Sequence, residues 1–366
     1  MTSTFVRKIL FATAALLATS PCFAQMAPQN TPLIVPEAYP DSVKTSLERR
    51  NRHLKAASPS LSLFAIVRTI NRWKPGSTVR VAFLGGNREL YEKIEAAAKV
   101  WTAPGVANID LKFKGDDGNY LQWAETDTLH RAEIRIAFRR GIEGGNWSLV
   151  GNDSVDPDVH GGGPGQASLN LDSFDVTLPD DWRSVVLHEF GHALGFEHEH
   201  QNPDGGGCDF RFADDPGYLP ILNANGWFAV NNGKRPGLYT YLGGKANYWS
   251  KAKVDSNLRD LSDARAFGGS LGGLVVSRFD ELSIMKYVFN SFMFVKGTDS
   301  RCYTEKPNTE LSTLDKAGAR QAYSSDPFGI SELLSQQNKV LKGLIDSPTA
   351  SGSIRSNAQK RLESVK

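Results

Sequence analysis

The chain of 366 residues is poor in cysteine and histidine and carries no excess of either charge. Three cysteines exclude a disulfide-dense scaffold, whose small domains are stapled by several bridges. Forty-two lysines and arginines stand against forty aspartates and glutamates, a formal net charge of +2, and no basic cluster interrupts that balance, so no nucleic-acid partner is expected. After the N-terminal segment no apolar run approaches the ~20 residues of a spanning helix, so no membrane span is expected in the mature form. Internal repeats are also lacking. What is present is ordinary globular usage, 40% hydrophobic and 22% charged, which excludes collagen-like, coiled-coil and wholly disordered chains. The length exceeds what a single core usually holds and implies one large domain with appendages, or two lobes.

At the N-terminus Arg7 and Lys8 precede an apolar run from Ile9 to Ala18, followed by small residues up to Ala24. A basic start, a short apolar stretch and a small residue at a cut site are the parts of a secretory signal peptide, here expected over residues 1–24. The run is about half of what a membrane anchor needs. Its removal takes Cys22 and leaves Cys208 and Cys302, and two cysteines in an exported chain favour one disulfide. The mature protein is expected to be secreted or periplasmic. Residues 25–60 carry five prolines among mixed polar residues, and the segment 25–70 reads as a poorly packed leader or propeptide, or as a plain linker.

Order is expected from about Trp73. Residues 79–84 alternate as a strand, and Asn87 stands where a helix cap belongs, with Leu90, Ile94, Ala97, Ala98 and Trp101 at helical spacing behind it. Residues 109–113 and 132–138 alternate again. Residues 147–151 and 167–171 are shorter strand candidates around a glycine-rich loop. Strands interleaved with a helix predict an α+β fold with a mixed sheet. A helix is expected from Pro179-Asp180-Asp181 to a stop at Gly195, another over residues 311–323, and an amphipathic segment over residues 330–345 that then turns polar. Between about 204 and 276 the text is rich in Gly, Asn and aromatics, with double glycines at 268–269 and 272–273, and reads as an insertion. The expected organisation is therefore one large domain over 71–327 and a tail over 328–366.

Four of the seven histidines fall in one stretch, His188, His192, His198 and His200. On a helix, residues i and i+4 share a face, so His188 and His192 present two imidazoles to one point. Glycine tolerates positive φ, so Gly195 can stop the helix and swing His198 back towards the same point. Three nitrogen ligands suit one Zn2+ and leave its fourth position open, the arrangement of a catalytic rather than a closed structural site. Glu189, next to the first ligand but off the ligand row, is placed to act as general base.

The string His188-Glu189-Phe190-Gly191-His192-Ala193-Leu194-Gly195-Phe196-Glu197-His198 resembles the H-E-x-x-H-x-x-G-x-x-H signature of the metzincin zinc peptidases. Ser283-Ile284-Met285-Lys286-Tyr287 resembles the Met-turn of the astacin family. The resemblance implies a two-lobed catalytic domain, with a mixed sheet and the active-site helix above and an irregular helical lobe below. It implies Met285 as an apolar floor under the imidazoles, Tyr287 as an extra metal contact that turns to the oxyanion, and Glu199 as a holder of the mature N-terminus. Ser312 and Asp315 also stand in familiar places, and a family disulfide corresponds to Cys208 and Cys302. The implied activity is that of an exported zinc-dependent endopeptidase on protein or peptide substrate bound extended against a cleft-edge strand within 147–151 or 167–171. Serralysins share the Met-x-Tyr feature. No matrixin-type cysteine switch or astacin Phe-x-Gly-Asp element stands in the leader, and Asp41 is its only aspartate.

Two other functions fit the same residues, a non-catalytic binding module stabilised by zinc and a zinc hydrolase acting on non-peptide bonds. His160 with Asp153, Asp156, Asp158 and Asp172 around Gly161-Gly162-Gly163 offers a structural Ca2+ or Zn2+ site, or a merely solvated acidic loop. His200 is expected beside the centre without being a ligand, and His53 and His130 at the surface.

Overall fold

A computed structural model of the chain describes residues 39–60, 69–202, 207–245, 247–259 and 278–365. The expected signal segment and the double glycines at 268–269 and 272–273 lie outside the described residues.

Five strands form one mixed sheet in the order β2-β1-β3-β5-β4, made of β1 (Thr78–Phe83), β2 (Asp110–Lys112), β3 (Ile134–Ala137), β4 (Trp147–Ser148) and β5 (Leu169–Asn170). All neighbours are parallel except β4, which runs antiparallel to β5 with Ser148 opposite Leu169. The period-2 pattern of the sequence sorts side chains to the two faces. Val79, Val81, Phe83, Ile134, Ile136 and Leu169 enter the main core, whereas Ala82, Ala137 and Trp147 enter a second layer on the opposite face.

The main core is closed by α2 (Arg88–Ala98) and α3 (Trp182–Ala193). Asn87 caps α2 as its position predicts, its side chain accepting the N–H of Leu90 at 3.0 Å. The opposite face is covered by α1 (Asp41–Ala57), which sends Val43 into that layer. The poor packing expected of residues 25–70 therefore fails over Asp41–Ala57. A helical stripe buries Val43, Ser46, Arg50, Leu54 and Ala57 on one side of α1.

The region expected as an insertion builds a core of its own. There α4 (Leu238–Gly243) and α5 (Lys251–Leu258) pack with Phe210, Phe289, Phe292 and Phe294, and a Cys208–Cys302 disulfide closes the cluster with a Cα–Cα distance of 5.6 Å. The helix expected near 311–323 is α6 (Thr313–Ala322), held by a reciprocal capping box between Ser312 and Asp315. The tail forms two helices, α7 (Pro327–Asp346) and α8 (Gly352–Val365). The second was expected only as a polar segment. Its Ile354, Ala358 and Leu362, spaced four apart, are enough to bury it against Leu341 and Leu344 of α7 and Leu54 of α1. No described helix is long and apolar enough to cross a membrane.

Candidate metal centre

The helix α3 carries the first two histidines and ends where Gly195 dictates. Gly195 has φ 91°, its N–H donates to His192 O at 2.7 Å, and the N–H of Phe196 reaches back to Gly191 O at 3.0 Å. These two bonds form a Schellman motif, which ends the helix and redirects the chain towards His198. The remaining carbonyls at this end would be left without partners. Two aromatic side chains supply them: Trp73 Nε1 donates to Ala193 O at 2.8 Å and Tyr323 Oη to Leu194 O at 2.6 Å, while Trp101 Nε1 reaches the mid-helix carbonyl of Leu187 at 2.8 Å.

The imidazoles of His188, His192 and His198 converge. Their ligand atoms lie within 4.8 Å of one another, and His192 Nε2 stands 3.2 Å from His188 Nε2 and 3.0 Å from His198 Nε2. Each Nδ1 is turned outward onto an oxygen, Ile284 O at 2.8 Å, Phe196 O at 2.7 Å and Gln201 Oε1 at 3.3 Å. A carbonyl oxygen only accepts, so these Nδ1 atoms carry the protons and the Nε2 lone pairs point at the shared space. Lone pairs aimed at one another repel unless a cation stands between them. For tetrahedral zinc, Zn–N bonds of about 2.0–2.1 Å imply edges of about 3.3–3.4 Å, close to the spacings here, and imidazole nitrogens are a donor set that zinc takes. The residues fit the ion.

The turn from Ser283 to Tyr287 closes the site from below. Met285 belongs to the main core and Tyr287 to the second, so the histidines lie where the two cores meet. Tyr287 Oη is 2.5 Å from His198 Nε2. The turn is pinned by Asp315, which accepts Ser283 Oγ at 2.6 Å and Ile284 N at 2.9 Å. Burial raises the Asp315 carboxyl above its ordinary value. Glu199 joins the segment after His198 to the same turn. Its carboxylate accepts Asp280 N and Asn202 Nδ2 at 2.8 Å, its N–H donates to Met285 O, and burial pushes its carboxyl up to about 7.

Glu189 is buried and, with His188, Lys286 and Tyr287, lines a cavity of about 170 Å³. The antiparallel strand β4 forms the edge of the sheet on this side, and Asn146, just before it, borders the same cavity. Leu149 N donates to Ser168 O, so by alternation the carbonyl of Ser148 faces away from β5, where it accepts the hydroxyl of Tyr39 at 2.9 Å. Lys286 is buried, and burial brings its ammonium down to about 8.

Two expectations need correction. The acidic glycine-rich loop is not a cation site; arginines fill it. Arg50 binds both Asp153 oxygens and Asp156 Oδ2, Arg361 adds a contact to Asp156 at 3.2 Å, and Arg135 takes the carbonyls of Ser154, Gly161 and Gln166. The side chain of Asp172 binds Gly145 N and Ser173 Oγ, and His160 lies 3.7 Å from Glu143. Among the described residues the three histidines alone form a metal-binding cluster. His130 is half-buried rather than on the surface, its Nε2 3.0 Å from Gly162 O. His53 is exposed, and His200 is buried beside Tyr287 with its Nε2 2.8 Å from Asn257 O, turned away from the centre. The arginine plugs and the aromatic caps of α3 carried no local pattern that could have announced them.

Fold and site together define an α+β protein with a three-histidine cation centre between two cores. The chain is similar to two solved structures of myroilysin. One is 27% identical over 70% of this chain and 97% of that chain with a TM-score of 0.47, and the other 26% identical over 69% and 86% with a TM-score of 0.41. It is also similar to high choriolytic enzyme 1, a hatching enzyme zinc-protease from Oryzias latipes (Medaka fish), 15% identical over 73% of this chain and 94% of that one with a TM-score of 0.33. No protein-family model and no curated protein matches the chain. None of these TM-scores reaches 0.5.

Proposed function

We propose that the protein is a zinc-dependent endopeptidase, with His188, His192 and His198 as the metal ligands. The observation that carries this reading is the convergence of three Nε2 atoms whose Nδ1 partners are already committed to oxygens. Bound there, zinc acts as a Lewis acid on a carbonyl and lowers the pKa of a water molecule to about 7. Glu189 takes the proton of the attacking water and hands it to the leaving amine. Tyr287 donates its phenolic proton to the oxygen that gains charge as the carbonyl becomes tetrahedral. Met285 packs beneath the imidazoles, and Asp315 and Glu199 hold the turn that carries it. An extended peptide pairs with the outward edge of β4, sharing it with Tyr39. Export belongs to the same reading, supported by the Cys208–Cys302 disulfide, since such bridges persist in oxidising compartments.

The test is Glu189→Gln. The variant is expected to hold zinc as the wild type does and to lose peptide cleavage by about 10²–10⁴-fold or more. A purified protein without zinc, cleavage indifferent to a chelator, or full activity in Glu189→Gln overturns the proposal. Ester and glycan substrates offered beside casein separate a peptidase from another zinc hydrolase.

A further inference from the structure

Most exposed large apolar side chains among the described residues stand singly along the chain. Leu219-Pro220-Ile221-Leu222 is different: the whole run is exposed, with Leu219 69%, Ile221 46% and Leu222 56% open to solvent. Val230, 56% exposed, joins it from the returning limb of the same ribbon. The ribbon is held in shape by its own bonds. Leu222 and Phe228 are antiparallel bridge partners, Ala229 N donates to Ile221 O at 3.0 Å, and Asn223 N to Trp227 O at 2.8 Å. Asn231 Nδ2 donates to Leu219 O and Tyr218 Oη to Ala229 O, both at 2.9 Å. Phe228 anchors the ribbon to the second core and lies against Gly244, just beyond α4. Apolar side chains are thus held out in water on a fixed support, where burial would stabilise them.

The charge pattern says what would cover them. From Pro216 to Gly233 no residue is charged, and between Asp215 and Asp255 the chain has no acid but carries Lys234, Arg235, Lys245, Lys251 and Lys253. Arg235 pairs with Asp215, Lys251 with Asp255 and Lys253 with Asp41. Lys234 and Lys245 are exposed and make no ion pair among the described residues. Both lie against the ribbon: a Cβ on Gly217 would stand 2.5 Å from Lys234 Nζ, and one on Gly226 3.5 Å from Lys245 Cδ. One lysine therefore stands at the start of the ribbon and the other at its turn, with the apolar run between them.

We propose that this ribbon is a docking surface for an anionic phospholipid membrane. Leu219, Ile221, Leu222 and Val230 enter the boundary between headgroups and acyl chains, while Lys234 and Lys245 meet lipid phosphates. Hydrogen bonds within the ribbon lower the cost of taking its backbone out of water. An acidic polysaccharide would use the lysines and leave the apolar run without a role. A second copy of this chain, docked by the same patch, would bring lysine towards lysine. The proposal does not depend on the peptidase reading.

The experiment mixes the full chain with vesicles of equal parts phosphatidylcholine and phosphatidylglycerol, or of phosphatidylcholine alone, and measures the bound fraction by flotation. Binding to the anionic vesicles is expected to be about tenfold tighter or more. Leu219→Ser combined with Leu222→Ser weakens it by about tenfold or more, through lost apolar burial. Lys234→Gln combined with Lys245→Gln weakens it to a similar extent, about tenfold, and reduces its salt dependence. If a double variant does not fold, the single Leu222→Ser and Lys245→Gln variants take its place. Wild type that binds neither vesicle overturns the proposal, as does a serine variant that binds like wild type. Binding that needs only the lysines, and that dextran sulfate reproduces, would make the patch a site for acidic polymers instead. Concentration-dependent dimers that the serine substitutions abolish, without vesicle binding, would assign the patch to a second copy and also overturn it.

Discussion

A Cβ atom on Gly191 would stand 2.2 Å from Met285 Sδ and 3.0 Å from the ring of Trp101. Glycine inside a helix costs about 1 kcal/mol relative to alanine, and here it lets the sulfur pack against the helix backbone between the two histidine ligands. Gly191→Ala regains that propensity but overpacks the contact by about 1–3 kcal/mol, so a net destabilisation is expected. Removing the sulfur opens the space: Gly191→Ala introduced into Met285→Ala is expected to be neutral or stabilising. Urea denaturation of the two single variants and the double variant measures the coupling, and strict additivity would show that the pair does not meet as described.

Tyr287 is the next test, because its hydroxyl lies 2.5 Å from His198 Nε2 without being needed to complete the three-imidazole cluster. Tyr287→Phe is expected to retain zinc, measured by metal analysis, and to lose about 10²–10³-fold in kcat/KM on a peptide. Loss of the metal instead would make the phenol a necessary ligand rather than an oxyanion donor.

Much of this site could be read in the sequence because its signals are local. Gly195 stops α3 through its own backbone, and His188 and His192 share a helix face by spacing alone. The strands and the Asn87 cap follow from period and position. The order of the strands does not, since two-residue strands such as β4 and β5 are set by partners distant in the chain. The acidic loop was legible only as a donor set. Carboxylates and carbonyls that would suit calcium suit guanidinium groups equally well, and Arg50 reaches Asp153 across 103 residues. The same long range hid the role of α1, whose prolines upstream suggest a loose leader while its buried stripe does not.

That arginine gives a prediction about the segment that carries it. Arg50 is fully buried, and Asp153 and Asp156 raise its pKa against the desolvation that opposes its charge. Arg50→Met leaves the buried Asp153 without its ion pair and Asp156 to Arg361, and is expected to cost about 3–5 kcal/mol in urea unfolding. Adding Asp153→Asn is expected to restore part of the loss, because it removes one uncompensated charge. Proteolytic removal of residues 39–57 would have a similar consequence, so α1 is expected to remain in the folded protein. A stable, active protein lacking α1 would make it a removable leader after all.

Glu95 on α2 gives the pH dependence its clearest sign. Burial alone would raise its carboxyl, but hydrogen bonds from Lys114, Lys99 and Tyr120 prevail and hold it at about 2, below the ordinary 4.5. The two lysine contacts are 2.8 and 2.7 Å, and Tyr120 Oη donates at 2.7 Å. A carboxyl whose folded pKa is depressed adds stability that is present above its unfolded value and lost as the pH falls through the folded one. The carboxylate side chain is only 14% exposed, but its lysine partners are 51% and 37% exposed, so solvent screening reduces the contribution to about 1 kcal/mol. Wild type is therefore expected to exceed Glu95→Gln by about that amount above pH 5, with the gap closing as the pH approaches 2. Unfolding free energies at several pH values measure the gap, and a difference that stays constant down to the acid limit would assign the effect to packing rather than charge.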